Sequence, residues 1–278
     1  MPELPEVETI IRSLNPALTG ETIQSAGILW ARTLAAPAIE ELNARLPGQT
    51  IQRLGRRGKH ILIHLDRDTL IIHLRMSGDL RVEAGFDPQG ARLPLQPHDR
   101  AVFNFASGQR LVFINPRKFG RVWLVSNPEE ILHKLGPEPL DEAFTVDDFY
   151  QRLIHHKRQI KPLLLDQHFL AGMGNIYTDE ALHQAMLHPL RLSSSLTRDE
   201  AERLLLAIRN VLQEGIRRNG SSIDWVYRGG SFQNDFQVYQ RTGQACYGCG
   251  AEIERILVGQ RGTHFCPVCQ KQQNQDVF

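Results

Sequence analysis

The chain opens Met1-Pro2-Glu3-Leu4-Pro5-Glu6-Val7-Glu8, and how these residues are read decides how the fold behind them is read. Removal of Met1 leaves Pro2 as the terminal residue with a free secondary amine. An α-amino group titrates near pH ~8, against roughly 10.4 for a lysine side chain, so far more of it is neutral and nucleophilic at physiological pH. A secondary amine that attacks an aldehyde carbon gives an iminium whose charge does not depend on a proton, and that cation is an electron sink. Glu3 follows directly and Glu6 lies one helical turn on, so both carboxylates can reach a group held at Pro2 as acid, base or hydrogen-bond partner. The same residues also read as an ordinary helix start, with Pro5 in the first turn and the glutamates complementing the helix dipole. Val7, Ile10, Ile11 and Leu14 then recur at helical spacing and Gly20 ends the pattern. The segment predicts a short amphipathic helix with Pro2 projecting from its start.

With 278 residues the chain can bury a sizeable core, and two domains are expected. A formal net charge of +1 excludes a uniformly basic nucleic-acid binder, although a basic face can coexist with an acidic back. No apolar run approaches the ~18 residues a bilayer span needs, and the acidic N-terminus lacks the regions of a signal peptide. A cytoplasmic, monomeric protein without a membrane partner is expected.

All four cysteines fall in two pairs, Cys246-x-x-Cys249 and Cys266-x-x-Cys269, sixteen residues apart. That spacing suits a tetrahedral four-thiolate zinc site with each pair on a turn and a hairpin between them. A disulfide framework needs an oxidising compartment, and a redox Cys-x-x-Cys needs no second copy. One structural zinc and no redox or organic cofactor are expected. Arg261, between Gly259 and Gly262 at the hairpin tip, reads as an exposed loop charge or as a nucleic-acid-contacting finger.

From about Ile51 to Val125 the pattern changes to short β-rich runs, His60 to Leu65, Leu70 to Leu74, Ala101 to Phe105, Arg110 to Ile114 and Val122 to Val125. They predict an antiparallel β domain, a sandwich or flattened barrel. Leu135-Gly136-Pro137-Glu138-Pro139-Leu140 reads as a linker. Beyond it the signal is helical: Thr145 caps a helix carrying Phe149, Leu153 and Ile154, and Thr197 with Glu200 forms a capping box ahead of Leu204, Leu205, Ile208, Val211 and Leu212.

Several clusters carry cations or apolar groups where burial is not the default. Arg53, Arg56, Arg57 and Lys59 crowd the turn before a strand, with Gly55 and Gly58 between them, as a solvated edge or a phosphate contact. Gly172-Met173-Gly174-Asn175-Ile176-Tyr177 precedes a helix start at Thr178, where backbone N–H groups and Asn175 can meet an anion; an ordinary tight turn reads equally well. Met76, in Leu74-Arg75-Met76-Ser77-Gly78, and Arg117 and Phe119, in Asn115-Pro116-Arg117-Lys118-Phe119-Gly120, place apolar and cationic side chains on turns. Wedges that open a base step look like this, although Met76 and Phe119 taken singly read as core residues.

Together these motifs resemble the formamidopyrimidine-DNA glycosylase and endonuclease VIII family of bifunctional DNA repair enzymes, over nearly the whole chain. The Pro2 to Glu8 start, Arg56-Arg57-Gly58-Lys59, the Asn115 to Gly120 turn, Gly172 to Tyr177, and Gln260-Arg261-Gly262-Thr263-His264-Phe265-Cys266 carry the likeness, and Leu4 resembles the formamidopyrimidine branch. The resemblance implies an α+β chain: an N-terminal β-sandwich domain with a flanking helix over 1–134, a linker over 135–140, a helix-two-turn-helix module over 141–236 and a zinc ribbon over 237–272. It implies Pro2 as Schiff-base nucleophile at C1′, Glu3 as acid/base at the deoxyribose, Lys59 as general acid and phosphate contact in β-elimination, and Arg261 in δ-elimination. Met76, Arg117 and Phe119 are expected to fill the gap left by a flipped nucleotide. His98, Lys157 and Asn175 are expected at the DNA backbone, and Glu6 and Tyr177 complete the substrate-contacting set. The implied partner is duplex DNA carrying a damaged base. The implied activity is excision of oxidised purines, 8-oxoguanine and formamidopyrimidines, in base excision repair, followed by strand cleavage.

Two regions depart from the pattern. Asn115 and Lys118 stand where the family most often has aspartate and arginine, and the Asn219 to Asp235 loop, which caps 8-oxoguanine in the family, is short. The competing readings are an abasic-site lyase or endonuclease VIII-like pyrimidine glycosylase of the same fold, and a non-catalytic zinc-containing DNA-binding protein.

Overall fold

The structure, a computed structural model, describes residues 2–222 and 229–272. Helix α1 (Leu4–Leu18) is followed by β1 (Ile23–Ile28), β2 (Leu34–Ala36), α2 (Ile39–Arg45), β3 (Ile51–Arg57), β4 (His60–Leu65), β5 (Thr69–His73), β6 (Asp79–Ala84), β7 (Asp99–Phe105), β8 (Gln109–Ile114) and β9 (Arg121–Val125). Next come α3 (Glu129–Leu132), α4 (Val146–Ile154), α5 (Ile160–Leu165), α6 (Asn175–Gln184) and α7 (Arg198–Arg217), then the hairpin β10 (Glu254–Val258) and β11 (Arg261–Phe265). The chain divides into two compact units, the first running to His133 and the second starting at Lys134.

In the first unit α1 forms as its spacing predicts. Glu3 is the N-cap, Pro5 sits in the first turn, and Val7, Ile10, Ile11, Leu14 and Leu18 face the core. Gly20, at φ 90°, supplies the left-handed residue that turns the chain into β1. Two sheets follow, a four-stranded one in the order β1-β7-β8-β6 and a five-stranded one in the order β2-β9-β5-β4-β3. All pairings are antiparallel except β2 with β9. Strand alternation sends Ile61, Ile63 and Leu65 of β4, Leu70 and Ile72 of β5, and Phe103, Phe105, Leu111 and Phe113 of β7 and β8 into one core shared with α1. This is the expected sandwich. One expectation needs correcting: Arg53, Arg56 and Arg57 lie on β3, and only Gly58 and Lys59 form the turn. The alternation of β3 was hidden because its outward positions are charged.

In the second unit both predicted caps form, Thr145 with Asp148 at α4 and Thr197 with Glu200 at α7. The stretch expected as a linker is fastened into this unit: Gly136 N–H donates to Gln167 O (2.8 Å), Ala171 N–H to Pro137 O (3.0 Å), and the Arg209 guanidinium to the carbonyls of Pro139, Asp141 and Phe144. Helix α6 starts at Asn175, three residues earlier than expected, so Asn175 and Tyr177 form its first turn. The β10–β11 hairpin rests on a very small core of Val238, Cys246, Ile253 and Cys266.

Candidate active site and nucleic-acid interface

The N-terminal constellation is buried in the first unit. Glu3 and Glu6 are each 2% exposed and close a reciprocal capping box, with Glu3 N–H donating to Glu6 Oε2 at 2.8 Å. Glu6 is thereby fixed as the support of the helix start, while Glu3 sits next to Pro2. Lys59 is 5% exposed at the β3–β4 turn, where Gly58 at φ 55° occupies the position that needs a positive φ in a two-residue hairpin. Arg56 links the two: its guanidinium pairs with Glu8 of α1 (3.2 Å) and donates to the Gly58 carbonyl (3.0 Å). The sequence reading left Arg56 as a solvated-edge or phosphate-contacting cation; its bonds to Glu8 and to the Gly58 carbonyl make it a staple.

Behind Lys59 lies a pair of buried imidazoles absent from the sequence reading. His60 and His73 face each other across β4 and β5 with ring centroids 4.6 Å apart, edge to face, and Trp123 flanks His60 at 6.1 Å. Burial, with the charges of Arg75, Arg57 and Lys59 adding to it, lowers His60 to about 4; burial, His60, Arg75 and Lys59 lower His73 to about 2. Both rings are therefore neutral at pH 7, which keeps extra positive charge away from Lys59.

Met76 and Phe119 are 38% and 52% exposed, so neither is a core residue. The Arg117 guanidinium lies 5.5 Å from the Phe119 ring centroid, and Asn115 and Ser77 bond the two turns to each other. The structure thus brings Met76, Arg117 and Phe119 onto one block. His98, exposed, joins it through its carbonyl, which accepts from Asn115 N–H at 2.9 Å.

In the second unit, Asn175 Nδ2 donates to the Gly262 carbonyl at 3.0 Å, which brings the start of α6 and the hairpin tip together. Lys161 Nζ donates to the same carbonyl (3.1 Å) and pairs with Asp179 Oδ1 (2.6 Å); both side chains are fully buried. Asp179 Oδ2 accepts from His264 N–H at 2.9 Å. These moorings had no sequence signal, since Lys161 and Asp179 look like ordinary helix residues. Arg261 starts β11 exposed, after a Gly259-Gln260 turn with both φ values positive. Tyr177 is fully buried and stacks on Phe232 at 5.1 Å, so its ring supports the helix start instead of facing outward. Lys157 is exposed between α4 and α5.

The four cysteine sulfurs lie within 4.8 Å of one another, with Cys246–Cys269 at 3.9 Å and Cys249–Cys266 at 3.4 Å. A tetrahedron of Zn–S bonds near 2.3 Å has edges of about 3.8 Å, so the donor set fits zinc. Burial, and then the neighbouring thiols, push Cys269 well above the ordinary range, whereas at Cys246 burial is opposed by a hydrogen bond with His183 and the thiol is lowered to about 6. The middle of the lesion-capping loop of the sequence reading, residues 223–228, lies outside the described residues.

These features define a two-unit zinc-finger protein whose first unit carries the candidate chemistry. Three family models match it in order: the formamidopyrimidine-DNA glycosylase N-terminal domain over residues 1–122, the formamidopyrimidine-DNA glycosylase H2TH domain over 135–226, and the zinc finger found in FPG and IleRS over 243–272. The chain is 43% identical, over 98% of its length and 99% of the relative's, to the formamidopyrimidine-DNA glycosylase of Pelotomaculum thermopropionicum. It resembles a single-site mutant of Lactococcus lactis FPG solved in complex with Fapy-dG-containing DNA (TM-score 0.89, 40% identity, 98% of this chain and 100% of that one). The likeness to Lactococcus lactis Fpg solved with abasic-site-containing DNA is equal (TM-score 0.89, 40% identity, 97% and 100%). The chain belongs to the formamidopyrimidine-DNA glycosylase family.

Proposed function

We propose that the chain is a bifunctional DNA glycosylase and abasic-site lyase that removes oxidised purines from duplex DNA in base excision repair. The observation that carries this reading is Pro2 beside the buried Glu3 in a helix start stapled by Arg56 to the turn of the buried Lys59. In this reading the Pro2 amine attacks C1′ of the damaged nucleotide as the base departs, and the C1′–O4′ bond then opens with Glu3 placing a proton on O4′. The resulting iminium acidifies the C2′ proton, so that the bond to the 3′ phosphate breaks with Lys59 as general acid; a second elimination, assisted by Arg261, releases the 5′ side. Met76, Arg117 and Phe119 occupy the gap left by the extruded base, and a damaged base is extruded at lower cost than a well-paired one. Asn175, His98 and Lys157 bind the backbone, with Glu6 and Tyr177 supporting the two helix starts.

Zinc held by Cys246, Cys249, Cys266 and Cys269 would be structural: four thiolates close the coordination sphere and leave no position for a reacting water. Its task is to hold the hairpin that presents Arg261. The domain limits follow the same reading, with the catalytic sandwich over 1–134, the helical module over 141–236 and the zinc ribbon over 237–272. Among the described residues no helix is long and apolar enough to cross a membrane. A monomer acting in the cytoplasm on DNA is the arrangement proposed. A short Asn219 to Asp235 loop offers fewer contacts to a base edge, so modest selectivity between formamidopyrimidines and 8-oxoguanine is expected.

Borohydride trapping tests the proposal. The Met1-processed protein should be linked covalently to a lesion-containing duplex, and Pro2→Gly or retained Met1 should weaken the product severely. Equal trapping by all three forms overturns the reading, and a clear preference for thymine glycol over formamidopyrimidine overturns the purine assignment.

A further inference from the structure

We propose that Asn115 is the positioning residue of the wedge: its side-chain amide locks the Leu74–Gly78 loop to the Asn115–Gly120 turn, so that Met76, Arg117 and Phe119 enter the duplex as one rigid block. The inference rests on the wedge reading given above.

Asn115 is 1% exposed, and its amide works in two directions. Nδ2 donates to the Leu74 carbonyl (3.1 Å), and Oδ1 accepts from Phe119 N–H (3.0 Å). Its main chain fastens a third segment: Asn115 N–H donates to His98 O (2.9 Å), and Asn115 O accepts from Arg100 Nε (3.0 Å). A parallel bond joins the same two turns, from Arg117 N–H to Ser77 Oγ (3.3 Å). From the other side Lys118 braces the turn, at φ 61° with its ammonium 4.1 Å from the Trp30 ring centroid.

Two glycines let the turns close on the amide. A Cβ at Gly120 would stand 2.3 Å from Phe113 Cζ and 2.6 Å from Asn115 Nδ2, and one at Gly78 would stand 2.4 Å from the Leu74 carbonyl oxygen. In this chain one planar, neutral group supplies both the donor and the acceptor of the clasp. A carboxylate keeps the acceptor for Phe119 N–H but sets its second oxygen against the Leu74 carbonyl, whereas the amide satisfies both. With its base buried and bonded and its tips exposed, the wedge is ordered before DNA arrives. Insertion then loses little conformational freedom.

The test compares substrates with and without a base stack to enter. Single-turnover excision is measured on a formamidopyrimidine duplex, and borohydride trapping on a single-stranded abasic oligonucleotide, for the wild type, Asn115→Leu and Asn115→Asp. Each variant is also placed in a Met76→Ala/Phe119→Ala background, and thermal midpoints are recorded. Asn115→Leu removes both side-chain bonds at similar volume, and its ratio of duplex to single-strand rate should fall about tenfold, the equivalent of one buried hydrogen-bond pair. Asn115→Asp, which keeps the acceptor for Phe119 N–H but sets an oxygen against the Leu74 carbonyl, should lower the same ratio as well and serves if the leucine variant fails to fold. In the wedge-deleted background neither substitution should cost anything more on the duplex. Equal losses on both substrates, or losses that add to the wedge deletion, overturn the proposal in favour of a purely structural role. Absence of trapping by the wild type overturns the functional reading and this inference with it; wild-type trapping with an unchanged ratio in both variants overturns the inference alone.

Discussion

Each unit presents one cation on a two-residue β-hairpin, and the two hairpins are built on opposite principles. The Gly58-Lys59 turn stands on a sandwich core drawn from α1 and both sheets, and its lysine is 5% exposed. The Gly259-Gln260 turn stands on four small buried residues, two of them cysteines of the metal cluster, and the arginine that follows it is exposed. A cation withdrawn from water loses hydration, so that position is worth keeping where the charge or proton enters a reaction. An exposed guanidinium is cheap to place and screened by salt, which suits long-range attraction to phosphate. Apolar burial therefore holds the first hairpin, and metal binding with a polar mooring at Gly262 holds the second.

The sharpest way to break this contrast is at Lys59. Lys59→Ala should slow both base excision and strand cleavage by about 10²- to 10⁴-fold, the range for loss of a general acid. Single-turnover rates on lesion and abasic duplexes measure it. A loss below threefold on both would place Lys59 with the exposed cations.

Zinc removal attacks only the second hairpin. Metal analysis should find one zinc per chain. Chelation or Cys249→Ser should unfold β10 and β11, because a structural zinc supplies on the order of 10 kcal/mol that so small a core cannot replace. DNA affinity should fall while the amide protection of β4, β5, β7 and β8, followed by hydrogen exchange, stays intact. Loss of protection in those strands would show that the two units do not stand independently.

Acid reaches the first through its buried imidazole pair. His60 and His73 are neutral when folded, with values lowered to about 4 and about 2, while in the unfolded chain they take up protons near pH 6.5. Below that pH the unfolded state binds more protons, so stability falls as pH falls, by about 1.4 kcal/mol per unit for each ring until its folded value is reached. Above pH 6.5 their contribution is complete. His60→Phe keeps a ring against His73 and Trp123 and removes one titration, so it should flatten the melting temperature between pH 6.5 and 4 and leave the neutral plateau in place. Acid also protonates zinc-bound thiolates, but the substitution does not touch them. An unaltered acid limb would remove the imidazole pair from the account.

The same contrast explains what the sequence disclosed. Five strands were legible, β4, β5, β7, β8 and β9, and these are the interior strands of the two sheets. The four that were not, β1, β2, β3 and β6, are the four edges. Interior strands are covered on both sides and read as apolar runs, whereas edges carry charges and small residues that discourage pairing with another chain. Arg53, Arg56 and Arg57 on β3 are such residues, which is why that strand passed for a turn. The cysteine cluster was legible because metal binding needs one residue type at a fixed spacing, and the same kind of spacing put Pro2 beside Glu3 in the candidate site. The candidate site was not legible where its arrangement depends on long-range contact: Asn115 to Leu74, Arg56 to Glu8, and Lys161 to Gly262 join residues far apart in the chain, and no local pattern announces them.

The smallest expected effect sharpens the comparison from the other side. Arg261→Ala removes one exposed cation whose backbone anchor remains, since Asn175 and Lys161 bond the Gly262 carbonyl and not the arginine side chain. The hairpin should therefore stay folded and keep its zinc. Removing one cation–phosphate pairing should reduce the slope of log K against log salt by about 0.9 and leave the slope otherwise linear. Affinity should fall most at low salt and the two proteins should converge as salt rises, because that pairing acts through counterion release. Base excision at saturating enzyme should change little, whereas the second elimination should slow. Equilibrium binding across a salt series, with product analysis of the cleaved strand, separates these outcomes. An unchanged salt slope together with a large loss of excision would mean that Arg261 belongs to the chemistry and that the two hairpins are more alike than their burial suggests.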